Sequence, residues 1–314
     1  MRLINICISL SLTLLCLTLS AETVRILGIG NSFTYNSTRY LPGIIQSNPR
    51  LSAEVGLVDI GGSSMQQHAT WAKEHEMDPS QGSSYRYAIN GETLTRTASL
   101  RDVLLDKDWD YITIQQVSTQ SYKIETYYPY AEELIHYIQK YAPEAEIHLH
   151  ETWAHNPDSH RNIKWGLDPD ETYEKIHAAY HQIAREFGLK TVPVGTAFQN
   201  AKQDPLWDYQ PTTIDVSKLT YPEDKDNLPD ESKSLHKIFQ WKKNKEGEME
   251  VRNDGFHARD HGQYLGALVW YESFLGADAR TVTYIPEGVT TEQAKSLQEI
   301  AHATVQANQS VERK

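Results

Sequence analysis

Five short apolar runs, at residues 24–29, 54–60, 110–115, 145–150 and 190–194, are separated along this chain by longer amphipathic stretches. Few architectures suit that alternation. It favours strands lying parallel in one sheet, because each return between parallel strands needs a helical crossover that covers a sheet face. Helices are expected near 37–48, 64–76, 124–141, 169–187, 259–275 and 290–307. The expected fold class is therefore α/β, a three-layer α/β/α sandwich around a parallel five-stranded sheet. "YAINGETLT" (87–95) carries an Asn-Gly pair between alternating residues, which predicts a small hairpin inside the second crossover.

With 314 residues, 39% of them hydrophobic, the chain can bury one large α/β domain. Residues 1–21 read as a signal peptide: Arg2, then an apolar stretch from Leu10 to Leu19, then small Ser20 and Ala21. The apolar stretch is too short for a spanning helix. Export to the periplasm or beyond is expected, without membrane insertion once the signal is removed. Both cysteines, Cys7 and Cys16, fall in that segment, so thiol catalysis, disulfides and Cys-ligated zinc are excluded from residues 22–314. A net charge of −12 with no basic cluster argues against a nucleic-acid partner. Residues 22–314 read as one domain with an insertion at about 200–253. "LTYPEDKDNLPDESK" is acidic and proline-bearing, and the segment after it suggests a hairpin turning at Asn244 to Gly247. That hairpin directly precedes Asp254 and is expected to border the site. Its deletion should change substrate preference more than turnover of a small ester.

In an open parallel sheet, ligands bind beyond the carboxyl ends of the strands. The first run ends in Gly30-Asn31-Ser32 and the second in Asp59, followed by Gly61-Gly62-Ser63. The third ends in Gln115, Gln116 and Ser118, and the fourth in His150, Glu151, Thr152, Trp153 and His155. A serine becomes a nucleophile only beside a base that a third group orients. "NDGFHARDHG" supplies both, with Asp254 three residues before His257. The backbone N–H groups of Ser32 and Gly62 could hold an oxyanion, and a side-chain amide from Gln115 or Gln116 could add a third donor. The two glutamines face opposite sides of a strand, and Gln115 is preferred. Asn31, His68, Trp153 and His155 are placed to contact substrate.

"GNSFT" at the first strand, a glycine after the second, an amide after the third and the DxxH near the end resemble the four blocks of the SGNH (GDSL-type) hydrolases. The resemblance spans residues 24 to 275 and is nearest to an exported bacterial branch with GNSFT and DGFH motifs. It implies a flavodoxin-like sandwich, with Ser32 as nucleophile, His257 as base, Asp254 as its orienter and Gly62 as an oxyanion donor. The third block departs from it: Gln-Gln-Val-Ser stands where the superfamily usually has Gly-x-Asn-Asp.

Other readings compete. Ser32 could simply cap a helix. "GIGNSF" could be a dinucleotide fingerprint, but Phe33 occupies the third glycine's place. His257 and His261, four apart on a helix, could hold a catalytic metal. The expected function is an exported serine esterase that needs no cofactor or metal. It would remove ester groups, foremost O-acetyl, from a carbohydrate substrate. A methyl ester on a uronic acid is the second choice. A non-catalytic carbohydrate-binding protein on the same scaffold is the alternative from another class.

Overall fold

The computed structural model describes residues 22–312, so the expected signal segment lies outside the described residues. Seven strands form one sheet: β1 (Val24–Gly30), β2 (Ala53–Asp59), β3 (Tyr85–Ile89), β4 (Glu92–Ala98), β5 (Tyr111–Ile114), β6 (Glu146–His150) and β7 (Lys190–Val192). Their order is β4-β3-β2-β1-β5-β6-β7. The five anticipated strands are present and pair in parallel. The sheet nonetheless has seven strands, not five. The expected hairpin does not merely interrupt the crossover; β3 pairs antiparallel with β2, Gly56 against Ile89, and extends the sheet. Its turn works because Asn90 and Gly91 both take positive φ, at 49° and 87°, the twist that a two-residue hairpin needs. Polar, exposed β4 then forms the sheet edge.

Successive strand residues enter opposite layers, as the two-residue strand period requires. Ile26, Val55 and Val192 pack with α1 (Ser32–Thr38), α2 (Leu41–Gln46), α8 (Val194–Ala201), α9 (Asp260–Leu275) and α10 (Thr291–Glu312). Leu27, Ile29, Val58, Ile112, Ile114 and Leu149 pack with α3 (Met65–Met77), α4 (Leu100–Asp106), α5 (Tyr130–Tyr141) and α7 (Pro169–Phe187). The helix expected at 37–48 is two short ones, and the first starts at Ser32 itself. Helices α4, α8 and the six-residue α6 (His160–Trp165) escape the periodicity reading, each being too short to show one. α9 is buried nearly all round, because α10 covers the side that would otherwise meet water.

Within the insertion, β8 (Phe239–Lys243) and β9 (Met249–Asn253) form the anticipated hairpin. Gly247 N–H donates to the Asn244 carbonyl across its turn, at 3.1 Å. Among the described residues no helix is long and apolar enough to cross a membrane.

Candidate active site

At the end of β1 the chain turns directly into α1. Asn31 has extended backbone, and its side chain accepts from Phe33 N–H at 3.0 Å, which makes it the N-cap. Ser32 is left at the first helical position with its hydroxyl released from capping duty. The competing reading of Ser32 as a cap fails on that geometry. Ser32 Oγ lies 2.9 Å from His257 Nε2. His257 Nδ1 lies 2.8 Å from Asp254 Oδ2. The three side chains form one hydrogen-bonded series, Ser32 to His257 to Asp254, although 225 residues separate Ser32 from His257.

Electrostatics agree with this order. Burial alone would raise the Asp254 carboxyl. The His257 hydrogen bond and charge, with the backbone N–H groups of His257 and Phe256, outweigh it and hold the carboxyl down at about 2. A carboxylate there accepts a hydrogen bond from Nδ1–H and keeps the tautomer whose Nε2 lone pair faces the serine.

The loop bearing Asp254 and His257 is gripped from three sides. Asp254 N–H donates to the Ile238 carbonyl at 2.7 Å, Gly255 N–H to Lys237 at 2.9 Å, and Lys237 N–H back to His257 at 2.9 Å. The Asn156 N–H donates to the Gly255 carbonyl at 2.7 Å, and Ala258 N–H to Asn36 Oδ1 at 3.1 Å. Gly255 has φ of +69°, and a Cβ there would come within 2.5 Å of Ser159 Cα, so only glycine fits. The insertion thus holds the loop that bears Asp254 and His257 in place.

The other sequence-derived site residues are placed differently from expectation. Gln116 is buried; its carbonyl accepts from Met65 and Val117 N–H, and its amide donates to Thr126. Gln115 is buried too, donating to Asn31 Oδ1 at 2.8 Å while its carbonyl bonds Thr34 Oγ1 and His150 Nδ1. Both carboxamides are bonded inside the protein, to groups on neighbouring segments. Asn31, 1% exposed, is likewise committed, with Nδ2 donating to the Ser63 carbonyl. His68 lies in the core and not at a rim, between Ser63 Oγ at 3.0 Å and Tyr85 OH at 2.9 Å. Burial lowers its pKa to about 4, so it stays neutral. Trp153 is stacked between Phe33 and Phe198, and its Nε1 donates to the Phe256 carbonyl at 2.9 Å. His155 is buried against Ser118 Oγ. These four residues are buried and bonded within the protein.

Gly61 and Gly62 are exposed beside the serine's strand, Gly62 at φ +72°. Among the described residues no hydrogen bond engages the N–H of Gly62 or of Ser32. Reading the sequence missed Phe256 and Arg161. Phe256 packs 4.3 Å from the His257 ring, and the Arg161 guanidinium lies 3.6 Å from the Phe256 centroid. No motif marks Arg161, which enters from α6.

The His257/His261 metal alternative is corrected by position. Both nitrogens of His257 are taken by Asp254 and Ser32, while His261 Nε2 bonds Gln293. Among the described residues, three potential metal ligands converge at Glu151–His177–His181 and at Glu272–Asp278–His302, neither of which includes a triad residue. Glu151 instead caps the first turn of α8 through Thr196 N–H and Oγ1, and Glu272 accepts from Ala279 N–H.

A family model described as "Domain of unknown function (DUF4886)" matches residues 25–218, a span that holds Ser32 and stops short of Asp254 and His257. A crystal structure of a DUF4886 family protein from Bacteroides uniformis is 24% identical, with a TM-score of 0.71 over 91% of this chain and 95% of that one. That likeness carries the fold. A protein from Slackia heliotrinireducens, whose standing as an SGNH hydrolase is itself inferred, is 20% identical with a TM-score of 0.46 over 80% of this chain and 98% of that one. An inferred GDSL-like lipase from Parabacteroides merdae is 15% identical with a TM-score of 0.43 over 79% and 94% of the two chains. No curated protein matches the chain significantly.

Proposed function

We propose that this chain, which belongs to the DUF4886 family, is an exported serine ester hydrolase that removes O-acetyl groups from a carbohydrate. The observation that carries the reading is the Ser32–His257–Asp254 relay, closed at 2.9 and 2.8 Å. Ser32 Oγ attacks the ester carbonyl while its proton passes to His257 Nε2, and the carbonyl oxygen takes the negative charge. The N–H groups of Ser32 and Gly62 receive that oxyanion. Collapse expels the sugar hydroxyl, which takes the proton from His257 and leaves acetyl on Ser32. Water, deprotonated by the same imidazole, then attacks the acyl-enzyme, releasing acetate and restoring the serine. Asp254 stays ionised throughout and holds the imidazole.

A carbohydrate substrate is supported by an open, polar setting. Ser32 and His257 are partly exposed, and exposed Tyr35 stands one turn beyond Ser32 on the same face of α1. Export is supported by the composition of residues 1–21. The reading is tested with 4-nitrophenyl acetate and the mature protein, beside Ser32→Ala, each with and without a chelator. Turnover should fall ~10³-fold or more in the variant and ignore the chelator. Turnover that survives in the variant and dies with chelator sinks it. The non-catalytic alternative draws on the internal commitment of Gln115 and Gln116. Binding of acetylated oligosaccharides without turnover of any acetyl ester would favour it.

A further inference from the structure

Arg161 sits beside the triad, where its charge feels the Asp254 carboxylate without forming an ion pair with it. It is half-buried on the first turn of α6, and its guanidinium lies 3.6 Å from the Phe256 centroid. Phe256 in turn lies 4.3 Å from the His257 ring. The guanidinium is therefore no farther from the imidazole than those two distances laid end to end, a gap that one pyranose ring with its carboxylate can bridge. Among the described residues no carboxylate, carbonyl or hydroxyl bonds the guanidinium, and its contact with Phe256 is a cation–π one. The nearby acid, Asp254, is committed to His257. In a chain carrying net charge −12, cations in general find partners easily, so a guanidinium left open at this place calls for a ligand. Five N–H donors in a planar fork match a carboxylate or another oxyanion bidentately.

A second observation points the same way. Trp165, four residues on and so on the same face of α6, is 44% exposed. An exposed indole offers an apolar plane to the C–H face of a sugar ring. His160, at the start of α6, also packs on Phe256, with ring centroids 6.1 Å apart. A stacking plane thus stands one helical turn from a guanidinium that reaches His257 through Phe256.

We propose that Arg161 and Trp165 form a subsite for an anionic sugar, with Arg161 gripping the oxyanion and Trp165 stacking on the ring. This deepens the hydrolase reading, on which it rests for the place of the substrate, and narrows the substrate to an ester of an acidic polysaccharide.

Binding is measured by calorimetry in Ser32→Ala, so that turnover does not enter. The probes are oligogalacturonide, a sulfated galactan oligosaccharide and a neutral galactan oligosaccharide of equal length. Either acidic probe should bind at least tenfold tighter than the neutral one, and the stronger of the two identifies carboxylate or sulfate as the partner. Adding Arg161→Met, which keeps the apolar stem over Phe256, should erase that preference, and Arg161→Lys should keep part of it. Equal affinity for all three probes, binding of none, or a preference that survives Arg161→Met overturns the subsite. Failure of wild-type protein to turn over 4-nitrophenyl acetate would count against the hydrolase reading and leave the binding result standing.

Discussion

Replacing Asp254 by Asn changes few atoms and tests the whole relay. In the native loop Asp254 Oδ1 accepts from the N–H groups of Phe256 and His257 at 3.2 and 3.0 Å, while Oδ2 faces His257 Nδ1 at 2.8 Å. Asparagine can keep the backbone bonds through its carbonyl. Its NH₂ then faces Nδ1, which must become the acceptor. The imidazole proton moves to Nε2 and points at Ser32, where a lone pair is required. Turnover number should fall ~10⁴-fold, with KM little changed because Asp254 does not touch substrate.

The same substitution has a stability signature. The Asp254 carboxyl is held at about 2, against ~3.9 in an unfolded chain, so its ionised form contributes about 2–3 kcal/mol of stability. For a depressed acid that contribution is present above pH ~4 and is lost as pH falls through ~2. Asp254→Asn should therefore be less stable than wild type at neutral pH, and the two should converge near the folded-state value. Steady-state hydrolysis of 4-nitrophenyl acetate and urea melts from pH 2 to pH 7 measure both effects. A turnover number within tenfold of wild type, with superimposable melts across that range, would refute the assignment of Asp254 as the orienting acid.

Two further expectations concern the loop's support. Gly255→Ala places a Cβ within 2.5 Å of Ser159 Cα at a φ of +69°, so it should cost about 1–3 kcal/mol and lower turnover; thermal melts and the same ester assay check it, and an unchanged melting temperature would show that the loop yields freely. Excising Glu223–Lys245 removes Lys237 and Ile238, whose main chains grip Asp254, Gly255 and His257. Turnover of small and large esters should fall together, and a deletion variant that keeps full activity on the small ester would refute the clamp.

Much of the fold was legible because it rests on local pattern. The apolar runs predicted β1, β2, β5, β6 and β7, and Asn90-Gly91 predicted a hairpin from the φ those two residues allow. The pattern did not say where that hairpin would go. Its attachment to β2 depends on which edge is free, and an edge exists only once the sheet is assembled. α9 shows a like dependence, since it is buried nearly all round only once α10 packs over its outer face.

At the site, the sequence by itself supplied the groups that the proposed chemistry needs: a serine at a strand tip, an Asp three residues before a His, and glycines beside them. Those choices follow from bond-level needs, namely a nucleophile, a base and an oriented tautomer, and they survive any detail of packing. Only the tertiary structure decided who faces the solvent. Gln115, Gln116, Asn31, His68, Trp153 and His155 all sit at strand tips or close by, where polar groups suggest contact with substrate. Each is instead spent on a neighbour, because a buried amide, imidazole or indole N–H must find a partner inside the protein. Arg161 shows the converse, a residue without a motif that acquires its position only when the loop after β6 folds over Phe256. Residue type limits which reactions a chain can perform, but partner satisfaction across distant segments decides which of those residues remain free to act.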